Sequence, residues 1–158
     1  MSLASPVPIV LVGIHTEIGA PIAEALRPDW DVVRFIQTFE AAQNDLPYIL
    51  RGEAPPTAPT NSVGSGDYSR PVRAILFGRG FTQQQAETLH GLYSGEATVP
   101  VLWGAGAAAK RGPSTEPPPG VEKIMVPILR GVLEDWKKGV EGKGEGEGEG
   151  KKGELVLY

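Results

Sequence analysis

The chain has no cysteine and only two histidines, His15 and His90. The first absence rules out a thiol nucleophile, a thiolate metal site and any disulfide. The second rules out a metal centre built from several imidazoles. Neither sign of charge dominates, with 15 basic and 19 acidic residues. A net charge of −4 lacks the basic footprint that would dominate a general nucleic-acid binder. Near the N-terminus PVPIVLVGI is apolar, but it is far shorter than the roughly 20 residues a membrane span needs and has no basic flank. It reads as a strand, not a signal peptide. These absences fit a cytoplasmic protein that engages neither membrane nor nucleic acid. At 158 residues there is room for one core, but not for separate cofactor and substrate domains.

Proline and glycine are plentiful, 15 and 21 residues, and their clusters mark the boundaries between elements. PIVLVG at 8–13 is a continuous apolar run, as expected of a strand buried on both faces of a parallel sheet. From Glu17 to Arg27, Ile18, Ile22 and Leu26 recur every four residues, and Pro21 falls in the first turn, where its missing N–H is tolerated. A second strand over Asp31–Ile36 completes a βαβ unit of about 30 residues, and a helix is expected over Phe39–Arg51. The proline- and glycine-rich stretch 52–71 is a long loop, and loops of that length are functional or mobile. Strands are expected at 72–78 and 98–104. Between them lies a helix announced by a capping box, with Thr82 as N-cap, Gln85 three residues on, and Phe81 placed to staple against Ala86.

Apolar residues at 121, 124, 125, 128, 129, 132, 133 and 136 predict a helix over Val121–Trp136, kinked at Pro127. The alternating glycine, glutamate and lysine tract after it cannot build a core and is expected to be disordered, with LVLY at the end available as an edge strand. Strands alternating with helices predict an α/β fold: a single Rossmann-like three-layer domain over 1–138, with a mostly parallel sheet of about four to five strands and right-handed crossovers. Residues 139–158 form the low-complexity tail.

The first strand runs into Gly13-Ile14-His15-Thr16-Glu17-Ile18-Gly19, a glycine turn that opens a helix. Such a turn needs one glycine to bend, one to let a pyrophosphate approach the backbone, and one for close packing of helix on strand, while the helix N-terminus supplies unpaired N–H groups. Gly13 suits the bend and Gly19 the packing. Thr16 stands where the middle glycine would be: its hydroxyl can bond a phosphate oxygen, or its branched side chain can block the approach. Glu17 repels a phosphate if it points inward. The alternative for the whole segment is a plain strand-to-helix turn.

These residues resemble the short-chain dehydrogenase/reductase superfamily, in particular its atypical NmrA-like branch, whose Gly-x-x-Gly-x-x-Gly pattern is met here with the middle glycine replaced. The resemblance covers 8–36 well and 72–104 more loosely. It implies a dinucleotide lying over Gly13, His15, Thr16, Glu17, Ile18 and Gly19. The second strand ends without the acidic residue of an NAD site. Its Arg34 tilts the choice toward the 2′-phosphate of NADP(H), unless it is simply an exposed strand arginine. Gly78, Arg79 and Gly80 close the third strand and Gly104 and Gly106 the fourth, at the edge where doubly wound sheets hold ligands; Arg79 suits an anion, and Lys110 or Arg111 can approach.

The superfamily's Tyr-x-x-x-Lys pair is absent: Tyr48, Tyr68 and Tyr93 are followed four residues later by Gly52, Val72 and Ala97. Neither a Gly-x-Ser-x-Gly elbow nor a Walker lysine is present, and His15 is the only histidine near the turn. NmrA-like members often lack the pair and work as cofactor-sensing regulators, so the resemblance implies a small NADP(H)-binding module without a catalytic residue, sensing or regulatory in role. Two alternatives stand beside it: a minimal NADPH-dependent reductase completed by a homodimer mate, and a degenerate scaffold for protein interaction that uses the 52–71 loop.

Overall fold

A computed structural model of the chain describes residues 6–56, 58, 61, 63–78, 81–99, 101–105, 120–147 and 155–157. It is an α/β domain of three layers. A parallel sheet is formed by β1 (Val7–Val12), β2 (Trp30–Ile36), β3 (Ala74–Phe77), β4 (Leu102–Ala105) and β5 (Leu155–Leu157). The helices are α1 (Thr16–Leu26), α2 (Phe39–Leu50), α3 (Gln83–Tyr93) and α4 (Val121–Glu147), with a 3-10 turn at Ser94–Glu96.

Every residue of β1 and β3 is buried, which is why those strands read as unbroken apolar runs and not as alternating ones. Their side chains part to two faces. Val10, Val12, Ile75 and Phe77 point to α2 and α3 and meet Leu46, Ile49, Ala86 and Leu89. Ile9, Leu11, Ala74 and Leu76 point to α1 and α4 and meet Ile22, Leu26, Leu129 and Leu133. The capping box forms as expected: the Gln85 amide donates to Thr82 Oγ1 (3.1 Å), and the Thr82 amide donates to Gln85 Oε1 (3.0 Å). Phe81 and Ala86 are both buried in the same cluster.

The strand order is β2-β1-β3-β4-β5. The chain steps outward from β1 to β2, then crosses back over β1 to start β3. The direction of winding therefore reverses between β1 and β3, the flavodoxin-like variant of the doubly wound sheet. A bulge separates Ile9↔Val32 from Val10↔Arg34, leaving Val33 as the extra residue on β2.

Three expectations change and one alternative left open is resolved. The helix predicted to end at Trp136 runs unbroken through Pro127 and on to Glu147, into the glycine-rich tract. Turns already packed through Leu129 and Leu133 nucleate it, so later residues face only the smaller cost of propagation. LVLY does add a strand, paired in parallel with β4 from Trp103↔Leu155. Crossover handedness is not uniform. α1 and α4 share a face, yet β2 is added on one side of β1 and β5 on the other, so the β4–α4–β5 connection has the opposite hand to β1–α1–β2. With α2 and α3 on the opposite face, the apolar surface of α1, β1 and β2 gains its cover from Leu129, Leu133 and Trp136 of α4. The third and fourth strands are also shorter than expected, because the ladder starts at Ala74 and Leu102. Among the described residues no helix is long and apolar enough to cross a membrane.

Candidate functional site: the carboxyl edge between the first and third strands

The carboxyl ends of β1 and β3 lie side by side at the reversal point. The Gly78 amide donates to the Val12 carbonyl oxygen (2.7 Å) and the Gly13 amide to that of Ile36 (2.8 Å), so the ends of all three strands are tied together. A Cβ on Gly78 would come no nearer than 3.5 Å to the Val12 oxygen and 4.0 Å to Gly13 Cα. Two glycines thus line adjacent strand ends with bare backbone between them, the kind of edge at which doubly wound sheets take ligands.

The turn that follows β1 is shaped by Phe35. A Cβ on Gly19 would lie 2.6 Å from Phe35 Cε1 and 2.8 Å from Cζ, well inside van der Waals contact. Gly19 therefore does what the sequence assigns to it, letting α1 settle onto the strands. Gly13 does not. Its φ is not positive, and its Cβ would meet the same ring at 3.5 Å, an ordinary contact. The bend there needs no glycine, so whatever value Gly13 has lies in the open backbone it leaves at the edge.

His15 is the N-cap of α1 but makes no capping bond. The Ile18 and Gly19 amides both donate to the His15 carbonyl oxygen (3.1 and 3.0 Å), while the Thr16 and Glu17 amides donate to no described residue. His15 Nδ1 instead faces Glu17 Oε1 at 3.1 Å, with the Glu17 side chain 70% exposed. The carboxylate that would repel an anion is turned out to solvent and held by the imidazole. His15 Nε2 is buried with no partner among the described residues. Thr16 starts the helix beside these free amides and is half-buried, and Ile18 packs its side chain into the core.

Arg34 is the clearest correction. It is neither an exposed strand arginine nor available to a 2′-phosphate. It is 5% exposed and lies on the sheet face opposite α1, where its Nε pairs with Asp45 Oδ2 of α2 at 3.0 Å and its Nη1 donates to the Tyr68 hydroxyl at 3.1 Å. The reason is the helix opposite it: α2 carries a buried carboxylate that requires a cation. Burial pushes the Asp45 carboxyl above its usual range, an effect Arg34 only partly opposes. Arg79, Gly80, Gly106, Lys110 and Arg111 lie outside the described residues.

The sequence reading missed two side chains. Gln37, the first residue beyond β2, donates from Nε2 to the Ile14 carbonyl oxygen (2.8 Å). Asn61 Nδ2 donates both to Gln37 Oε1 (3.0 Å) and to the Phe35 carbonyl oxygen (2.9 Å). The position of Gln37 was the available signal, since the residue ending this strand faces the ribose in dinucleotide sites; nothing local marks Asn61, which sits inside a long loop. His90 lies half-buried on α3. Its ring stands edge-on to Trp103 with centroids 5.3 Å apart, and burial lowers its pKa.

A curated protein of Aspergillus oryzae (strain ATCC 42149 / RIB 40), Kojic acid related protein 6, is 28% identical to the chain over 97 residues, 61% of this chain. That stretch is 57% of the fungal protein, so the chain spans little more than half the length of this relative. No family model and no solved structure matches the chain.

Proposed function

We propose that the chain is a non-catalytic nucleotide-binding module that takes a nicotinamide dinucleotide at the carboxyl edge of β1 and β3. The observation that carries this reading is the juxtaposition of Gly13 and Gly78 at the reversal point, beside the unbonded Thr16 and Glu17 amides of α1. The pyrophosphate would lie over Gly13 and accept from those amides, with the Thr16 hydroxyl as a further donor. Arg34 takes no part, so NADP(H) and NAD(H) should bind within about tenfold of each other, a difference of roughly 1.4 kcal/mol. Without a Tyr-x-x-x-Lys pair the module holds its ligand and does not reduce with it.

Calorimetric titration with NADPH and NADH in parallel tests the reading. Heat is expected with both, and Gly13→Ala should remove it while leaving the thermal midpoint nearly unchanged, because the fold has space for that Cβ. Absence of heat with either nucleotide at millimolar concentration sinks the proposal. A second reading, a homodimer, is favoured by Ile124 and Ile128, one turn apart on α4 and 58% and 41% exposed. Sedimentation that finds only monomer removes it.

A further inference from the structure

Asn61 and residues 63–68, read from sequence as part of a long loop, form a strap along the outer edge of β2. The bulge at Val33 turns two successive carbonyls outward, and the strap takes both: the Ser65 amide donates to Val32 O (2.9 Å) and the Gly66 amide to Val33 O (3.0 Å). Asn61 takes the third, on Phe35. Gly64 makes the close approach possible. Its φ is +105°, and a Cβ there would lie 2.7 Å from Val33 O and 2.9 Å from Arg34 Cα. The strap is pinned further by Ser65 Oγ on Asp31 (2.8 Å), by Tyr68 on Arg34, and by Val63 packing against the α1-side core.

Gln37 joins this strap to the glycine turn. Its amide bridges Ile14 O on one side and Asn61 on the other, so a continuous path runs from the turn through Gln37 and Asn61 to the strap. Phe35 gives a parallel link, since its carbonyl is held by Asn61 while its ring fills the space under Gly13 and Gly19. We infer that Gln37 is a positioning residue: it holds the β1–α1 turn in its open-backbone shape and makes the turn and the strap one cooperative unit, so that occupancy of the edge is felt at Asn61 and residues 63–68. This deepens the nucleotide-binding reading and rests on it for the identity of the ligand, but the coupling itself belongs to the fold.

Amide hydrogen exchange on the full chain tests it, read at Ser65 and Gly66 in the strap and at Ile18 and Gly19 in the turn. Asn61→Ala removes the strap end of the bridge. It should speed exchange by at least about tenfold at all four amides, since it removes the bonds from Nδ2 to Gln37 Oε1 and Phe35 O and the one Oδ1 accepts from the Val63 amide in a shared opening unit. Gln37→Leu should give the same pattern, and the double variant should add nothing at the turn. Acceleration of Ser65 and Gly66 alone by Asn61→Ala, with Ile18 and Gly19 unchanged, overturns the inference whichever variant folds better.

The second arm separates this inference from the function it builds on. With NADH or NADPH added, protection of Ser65 and Gly66 is expected in the wild type, with nucleotide affinity about tenfold weaker in Gln37→Leu. Heat of binding without protection of the strap refutes the coupling and leaves the binding reading standing. If neither nucleotide gives heat, the binding reading falls, and the exchange pattern of the free protein still decides the coupling.

Discussion

Replacing Gly19 by alanine isolates the contact that seats α1 on the sheet. The new Cβ would sit 2.6, 2.8 and 2.9 Å from Cε1, Cζ and Cδ1 of Phe35. Carbon atoms prefer about 3.5–4.0 Å, so the ring or the helix must move by about 1 Å. Phe35 is 5% exposed within the packed layer of β1, β2, α1 and α4, so the ring cannot swing aside cheaply. Overpacking of this kind costs about 1–3 kcal/mol. Alanine returns up to about 1 kcal/mol through its better helix propensity. The expected net loss is roughly 1–2 kcal/mol, which for a chain of this size lowers the thermal midpoint by roughly 2–8 °C.

The assay is urea unfolding followed by far-UV circular dichroism, with the m-value as a check that the transition itself is unaltered. Phe35→Leu supplies the second corner of a double-mutant cycle. With the ring gone, Gly19→Ala should become neutral or slightly stabilising, giving a coupling on the order of 2 kcal/mol. A single Gly19→Ala variant as stable as the wild type would refute the steric argument. So would an equal loss in the Phe35→Leu background.

Arg34→Met strands the buried Asp45 carboxylate and should cost about 3–5 kcal/mol, whereas Arg34→Met with Asp45→Leu should recover most of that loss; urea unfolding measures both, and a harmless single variant would show the pair to be solvated. His90 has its pKa lowered by burial, so the unfolded chain takes up the proton more readily, and the stability His90 contributes is present above 6.5 and lost as pH falls below it. The wild type should therefore destabilise more steeply than His90→Gln between roughly pH 7 and pH 5, and parallel pH profiles would count against this. Thr82→Ala removes the Oγ1 that accepts from the Gln85 amide, leaving the α3 capping box only its Thr82 N–H to Gln85 Oε1 arm, and should cost about 1 kcal/mol, read from the same unfolding curves.

Much of the fold is legible in residue order. The runs in β1 and β3 are apolar throughout because helices cover both faces of the sheet, and that pattern needs no tertiary knowledge to recognise. Thr82 and Gln85 announce α3 because a capping box is local chemistry between residues three apart. Gly19 is correctly read as a packing glycine, since an α1 seated on strands must approach them closely wherever the chain goes next. The tract after Trp136 misleads for the opposite reason. Its composition alone supports no structure, but a helix already packed upstream can propagate into it.

The candidate site is legible only in outline. The sequence by itself determined that β1 ends in a glycine turn, that α1 begins there, and that no Tyr-x-x-x-Lys pair follows. Those facts depend on neighbours along the chain. Arg34 shows where such reading stops. Whether a strand arginine meets solvent or a carboxylate depends on the element packed across from it, and only the folded chain brings Asp45 and Tyr68 to its guanidinium. Gln37 and Asn61 are 24 positions apart, and their bond exists because the bulge at Val33 opens carbonyls that the strap returns to satisfy. Local sequence sets which elements form. Buried polar groups, which must find partners wherever the fold supplies them, decide how the edge of the sheet is built.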